Sequence, residues 1–167
     1  MTIFKTIGGN RRSLPGMVHY ITDDIKCKGK VFALNASSNP EIAIQEMEAI
    51  KNLHDKNEGR LYKQFVFSFD RDIRHLSEED IMEISHKICA YYGNDYQIIG
   101  AVHFDTCNVH VQFILNTINM RTGRKFSQSQ KDLFDYKRYI NTIVEEYGLN
   151  PVEYYGRETE SVTDLEP

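Results

Sequence analysis

Apolar residues recur along this chain in two rhythms, and the alternation between them sets an order of elements. Continuous or period-two apolar runs bounded by turn residues predict strands at Thr2–Ile7, Val31–Leu34 and Leu61–Phe69. Two more runs, Ile98–Phe104 and Val109–Leu115, are joined by Asp105, Thr106, Cys107 and Asn108 and predict a β-hairpin. Spacings of three and four mark helices instead. Met17, Val18 and Ile21 suit one or two turns ended by Thr22, Asp23 and Asp24, and Ala43, Met47 and Ile50 suit a helix from Pro40 to about Asp55, with His54 on its surface. Ser77, with Asp80 three residues on, caps a helix whose stripe of Ile81, Ile84 and Ile88 runs up to Gly93; Cys89 packs in it. Ser129 or Gln130 opens a last helix that Gly148 stops after Tyr147.

This order is that of an α+β fold, an antiparallel sheet of about five strands with flanking helices, occupying residues 1–150. Residues 151–167 are acidic, weakly patterned and expected to form a loose tail. A chain of 167 residues is one domain of ordinary size, with no apolar run of membrane-spanning length and no secretion signal. Its three cysteines are an odd number at unrelated spacings, which predicts reduced thiols and a cytoplasmic protein.

The hairpin carries the candidate chemistry. If Phe104 faces Val109, then His103 lies opposite His110 and Ala101 opposite Gln112. Alternation puts His103, Asp105, His110, Gln112 and Asn116 on one face, and Val109, Val111, Phe113 and Leu115 on the other. Opposed Cβ atoms lie about 4.5–5.5 Å apart, so two imidazoles and a carboxamide can converge on one ion. The same residues suit the solvated face of an antiparallel sheet, and spacing alone leaves both readings open. Tyr20, by spacing alone, is a half-buried tyrosine of a short helix.

Net charge excludes bulk affinity for nucleic acid: it is −4, so a polyanion needs a local basic patch. Three clusters offer one, Arg11 with Arg12, Lys26 with Lys28 and Lys30, and Arg121 with Arg124 and Lys125. Each is equally a solvated loop.

Three runs together resemble a known family. His103-x-Asp105-x-x-Asn108-x-His110-x-Gln112 followed by Phe113-Ile114-Leu115-Asn116 resembles the metal-binding motif of the MOB-P class of conjugative relaxases. Met17-Val18-His19-Tyr20-Ile21-Thr22-Asp23 resembles the motif of their nucleophilic tyrosine, and Tyr62 to Phe69 their middle motif, a strand ending in Ser-Phe. The three stand in the family's order, and the resemblance covers residues from about 1 to 150. Rolling-circle replication initiators share the paired-histidine chemistry and a similar sheet, but they generally place the tyrosine after the histidines, and Tyr20 precedes them.

The resemblance implies a relaxase-like fold and an enzyme that nicks one DNA strand at an origin of transfer and later rejoins it. Tyr20 would be the nucleophile, and His103, His110 and Gln112 the ligands of a divalent ion, Mg²⁺ or Mn²⁺. Asp105 would orient a ligand imidazole or take the phenol proton. Ser68, Asn108 and the basic clusters would contact single-stranded and hairpin DNA, with accessory relaxosome and coupling proteins as partners of a monomer. Gln112 stands where the family has a third histidine, and an amide oxygen weakens Zn²⁺ or Ni²⁺ more than Mg²⁺ or Mn²⁺. That departure keeps a non-catalytic, origin-binding module of the same fold as the alternative.

Overall fold

The computed structural model describes residues 2–8, 12–154 and 159–160. Its elements in order are β1 (Ile3–Ile7), α1 (Leu14–Ile21), α2 (Asp24–Cys27), β2 (Val31–Leu34), α3 (Pro40–Leu53), β3 (Tyr62–Ser68), α4 (Glu78–Cys89), β4 (Ile98–His103), β5 (His110–Asn116), α5 (Gln130–Glu146) and β6 (Thr159–Glu160). A 3₁₀ turn, Ala90–Tyr92, follows α4. The sheet runs β2-β4-β5-β3-β1-β6. Its first five strands pair antiparallel, and β6 lies parallel to β1, pairing Thr6 with Thr159. The hairpin register is the predicted one, with Ala101 opposite Gln112 and His103 opposite His110.

The sheet is covered on both faces. On one, Phe65, Phe67, Val102, Val111, Phe113 and Leu115 pack with Ile84 and Ile88 of α4 and Tyr136 and Ile140 of α5. On the other, Ile99, Ile114 and Tyr62 pack with Leu14, Met17, Val18 and Ile21 of α1 and Ala43, Ile44 and Met47 of α3. The expectation of a solvated histidine face is therefore corrected: the face of His103 and Gln112 lies within the fold, each residue 2 % exposed. The physical reason is that α1 and α3 each bury an apolar stripe, and a second sheet face is the surface available to cover them.

Capping chemistry explains where the helices begin. Ser77 and Ser129 each accept from the amide three residues on while Asp80 and Asp132 return the bond, two complete capping boxes. Ser13 accepts from Gly16 N and starts α1 three residues earlier than the apolar spacing suggested. α1 ends at Ile21 with Thr22 as its C-cap, where the sequence placed its end, and Asp23 also caps α2, accepting from Ile25 N at 2.9 Å. His54, expected on the surface, packs against Gly123 so closely that a Cβ there would lie 2.5 Å from its Nδ1.

Beyond α5 the chain is held to the domain at Val152, whose N–H and carbonyl both bond the Asn141 side chain, at 2.8 and 3.1 Å. Of the tail expected over 151–167, residues 151–154 are also packed on α5, the Tyr154 carbonyl accepting from Lys137 Nζ at 3.3 Å and its ring lying against that of Phe134, and beyond them only β6 is described. Cys27 and Cys89 are buried thiols and Cys107 an exposed one. No helix among the described residues is long and apolar enough to cross a membrane.

Candidate active site

Two imidazoles meet at the end of the central hairpin. His103 Nδ1 and His110 Nε2 are 3.2 Å apart, with the rings nearly perpendicular. The other nitrogen of each ring faces a main-chain carbonyl, which can only accept, so that nitrogen carries the proton. His103 Nε2 donates to Ile21 O at 2.7 Å, and His110 Nδ1 lies 3.2 Å from Asn108 O and from Thr106 Oγ1. Thr106 in turn donates to Asn108 O at 2.7 Å, fixing the turn that holds the acceptor. Burial pushes His103 down to about 4 and His110 in the same direction, so both rings are neutral at neutral pH.

Both lone pairs therefore point at one small space. Two nitrogens bound to one ion at about 2.1 Å lie roughly 3.0–3.4 Å apart for bond angles of 90–109°, and the observed 3.2 Å falls in that interval. Gln112 stands on the same sheet face and could add a third donor. Its Oε1 is buried without a hydrogen-bond partner, because its cross-strand neighbours are the apolar Ala101 and Val66. An unpartnered buried oxygen costs on the order of 1–3 kcal/mol, which coordination of a cation would offset. Asn108 Oδ1, in the hairpin turn, is buried and unpartnered as well. No group of three His, Cys, Asp or Glu side chains that could hold a metal occurs among the described residues. The residues that fit an ion are thus two imidazoles and an amide oxygen.

Tyr20 stands one residue before the carbonyl that holds His103. Leu14, Met17, Val18 and Ile21, at helical spacing, are buried and fix α1, while Tyr20 itself remains half-buried. Two cations lie over its ring: Arg12, with Cζ 3.8 Å from the ring centre, and Lys26, with Nζ at 3.3 Å. The Lys26 charge also acts on both imidazoles. Its main chain is tied to the hairpin strand, Lys26 O accepting from Phe104 N at 2.9 Å.

The structure gathers some of the residues singled out from sequence and separates others. Ser68 pairs with His110 across β3 and β5, on the imidazole face. Asp105 lies in the turn rather than on the strand face; it is exposed and acts on both imidazoles through space, while the orienting bonds come from Ile21 and Asn108 carbonyls. Lys28 lies over the Phe104 ring at 5.8 Å, and Lys30 pairs with Glu78 at 3.6 Å. Arg121 pairs with Asp95 at 2.9 Å, and Lys125 bonds the Glu58 carbonyl. With exposed Arg124, these two sit past the far end of β5, about 20 Å along the strand from His110. Asn116, at that end, bonds Lys51, Met47 and Gln97. Arg11 lies outside the described residues. Tyr91 and Tyr92 are in the aromatic cluster on the opposite sheet face, where burial pushes Tyr92 up to about 12.

Sequence reasoning missed the Ile21 and Asn108 carbonyls, which every residue type possesses, so no sequence signal marks them. It also missed α2, for which the Asp23 cap was a usable signal.

A sheet of five antiparallel strands and a sixth parallel one, backed by helices on both faces, is a fold already seen in a solved structure. The Staphylococcus aureus structure described as "Molecular Basis of Vancomycin Resistance Transfer in Staphylococcus aureus" matches with a TM-score of 0.64, covering 93% of this chain and 99% of that one at 7% identity. The family model "Relaxase: MobA/VirD2-like, nuclease domain" matches residues 20–149, and the chain belongs to that family. Among curated relatives, a Staphylococcus aureus "Protein rlx" is 25% identical over 146 residues, 87% of this chain and 43% of the relative. The "Group II intron-interrupted relaxase LtrB" of Lactococcus lactis is 33% identical over 73 residues, 43% of this chain and 13% of that protein. The chain thus spans less than half the length of these relatives.

Proposed function

We propose that this domain nicks one DNA strand at an origin of transfer and holds it covalently for later rejoining. The observation that carries the reading is the pair of neutral imidazole lone pairs, 3.2 Å apart, beside the residue that follows Tyr20. The Tyr20 phenol oxygen attacks the scissile phosphorus, and the phosphorus bond to the 3′-oxygen breaks. A 5′-phosphotyrosyl link and a free 3′-hydroxyl result, and the reverse attack by a 3′-hydroxyl reseals the strand. Asp105 takes the phenol proton, and Lys26 and Arg12, already over the ring, hold the phosphate and the attacking group together. His103, His110 and Gln112 would hold a divalent ion, Mg²⁺ or Mn²⁺, which when bound neutralises charge on the phosphate oxygens. Ser68 and Asn108, at the imidazole end of the sheet, contact the strand there. The substrate is single-stranded or hairpin DNA, and accessory relaxosome and coupling proteins are its partners in a cytoplasmic setting.

Labelled single-stranded oligonucleotides tiling the parent element's candidate transfer origin, incubated with Mn²⁺ or Mg²⁺, test this. A covalent adduct on the Tyr20 peptide, resolved on a denaturing gel and identified by mass spectrometry, is expected. Tyr20→Phe removes only the hydroxyl, so it abolishes the adduct and leaves strand binding nearly intact. Strand binding without an adduct under every divalent ion would replace this reading with a non-catalytic origin-binding module, the alternative that Gln112 favours.

A further inference from the structure

Resting on that reading of Tyr20, we infer that the exposed side chain of Ile25 is a nucleobase contact, taking one base of the bound single strand beside the phosphate that Tyr20 attacks.

Ile25 is 83 % exposed, the most exposed large apolar side chain among the described residues. A single exposed isoleucine is ordinary on a surface. Its support is what distinguishes this one. Asp23 caps its amide at 2.9 Å, and Cys27, two residues on, is fully buried. α2 and the segment after it are fastened to the hairpin: Lys26 O accepts from Phe104 N at 2.9 Å and Lys30 O from Val102 N at 3.0 Å. Ile25 is thus held in water by a fixed scaffold.

Its neighbours supply the complementary chemistry. Consecutive Cα atoms are about 3.8 Å apart, so Ile25 is carried next to Lys26, whose ammonium lies over the Tyr20 ring; Lys28, three residues after Ile25, lies over Phe104. An exposed apolar side chain followed closely by two cations matches the mixture of base and phosphate contacts that a single strand needs. Apolar side chains engage bases by stacking or wedging, which requires the base to be unstacked from its neighbours, so the contact favours a single strand over a duplex.

The chain contains no tryptophan, so Ile25→Trp gives a lone fluorescent reporter. Leu53→Trp is the control, since Leu53 is 74 % exposed and follows Lys51 and Asn52, which line a pocket with Ser13 and Leu14 at the opposite end of α1 from Tyr20. The probes are the single-stranded oligonucleotides above, with binding followed independently by the anisotropy of an end label. Expected is loss of more than half the Ile25→Trp emission at saturation, unchanged Leu53→Trp emission, and Kd for Ile25→Ala raised roughly three- to tenfold. A strand that binds and forms the Tyr20 adduct, with Ile25→Trp emission unmoved and Ile25→Ala binding as tightly as the parent chain, overturns this inference alone. Absence of binding and adduct together overturns the reading of the site and this inference with it.

Discussion

His103 donates its Nε2 proton to the Ile21 carbonyl across 2.7 Å, so the strand bearing the imidazole pair and the helix bearing Tyr20 are joined at the site itself. This one bond fixes the His103 tautomer, aims Nδ1 at His110, and closes the C-terminal end of α1, where carbonyls lack helical partners. His103→Phe keeps much of the ring volume but leaves that carbonyl without its donor. A loss on the order of 1–3 kcal/mol is expected, a fall in Tm of roughly 3–10 °C, together with loss of Mn²⁺ binding by titration calorimetry. An unchanged Tm would show that the helix does not depend on the strand for its position.

If Gln112 gives its buried, unpartnered amide oxygen to the proposed ion, changing that atom should change which ion is preferred. Gln112→His restores three imidazoles and is expected to raise Zn²⁺ affinity at least tenfold relative to Mn²⁺, on the order of 1.4 kcal/mol or more. Calorimetric titration of both ions at one pH measures the ratio. An unaltered ratio would remove Gln112 from the ligand set.

Lys26 lies over the Tyr20 ring at 3.3 Å, a contact worth about 0.5–2 kcal/mol. Lys26→Met removes the charge while keeping most of the length. Single-turnover adduct formation should slow by roughly 3- to 30-fold, and Lys26→Arg should restore most of the rate. Equal rates for Lys26→Met and the parent chain would leave the ammonium no part in ordering Tyr20 for the proposed attack.

Lys51, 3 % exposed and bonded to Asn116, sets a pH dependence of stability. Burial pushes it down to about 8 from the ordinary 10.5. Between those values the unfolded chain binds more protons than the folded one, so stability rises as pH increases from about 8 to 10.5. The gain is on the order of 3 kcal/mol from this group. It is opposed above about pH 10 by tyrosines such as Tyr62, Tyr92 and Tyr136, which burial pushes upward. Urea melts at pH 7.5 and 9.5 should show the rise in the parent chain and its loss in Lys51→Met. A flat comparison would mean that Lys51 is not penalised by its burial.

The hairpin was legible from the chain because a strand period of two and a short turn leave one register that buries Val111, Phe113 and Leu115 together, and that register sets His103 against His110. The helices were legible where a cap and an apolar stripe agree, as at Ser77 and Ser129. The three motifs around Tyr20, Ser68 and the histidines were enough to place the chain near relaxases. Tertiary structure alone decided that the histidine face is covered, because an antiparallel sheet carries the same alternation whether its second face meets water or helices. It alone supplied the Ile21 and Asn108 carbonyls that set both tautomers, since a main-chain oxygen has no residue identity. And it alone sorted the basic residues, bringing Arg12 and Lys26 onto Tyr20 while leaving Arg121 and Lys125 at the far end of β5, because charge patterning records sign and not position in space.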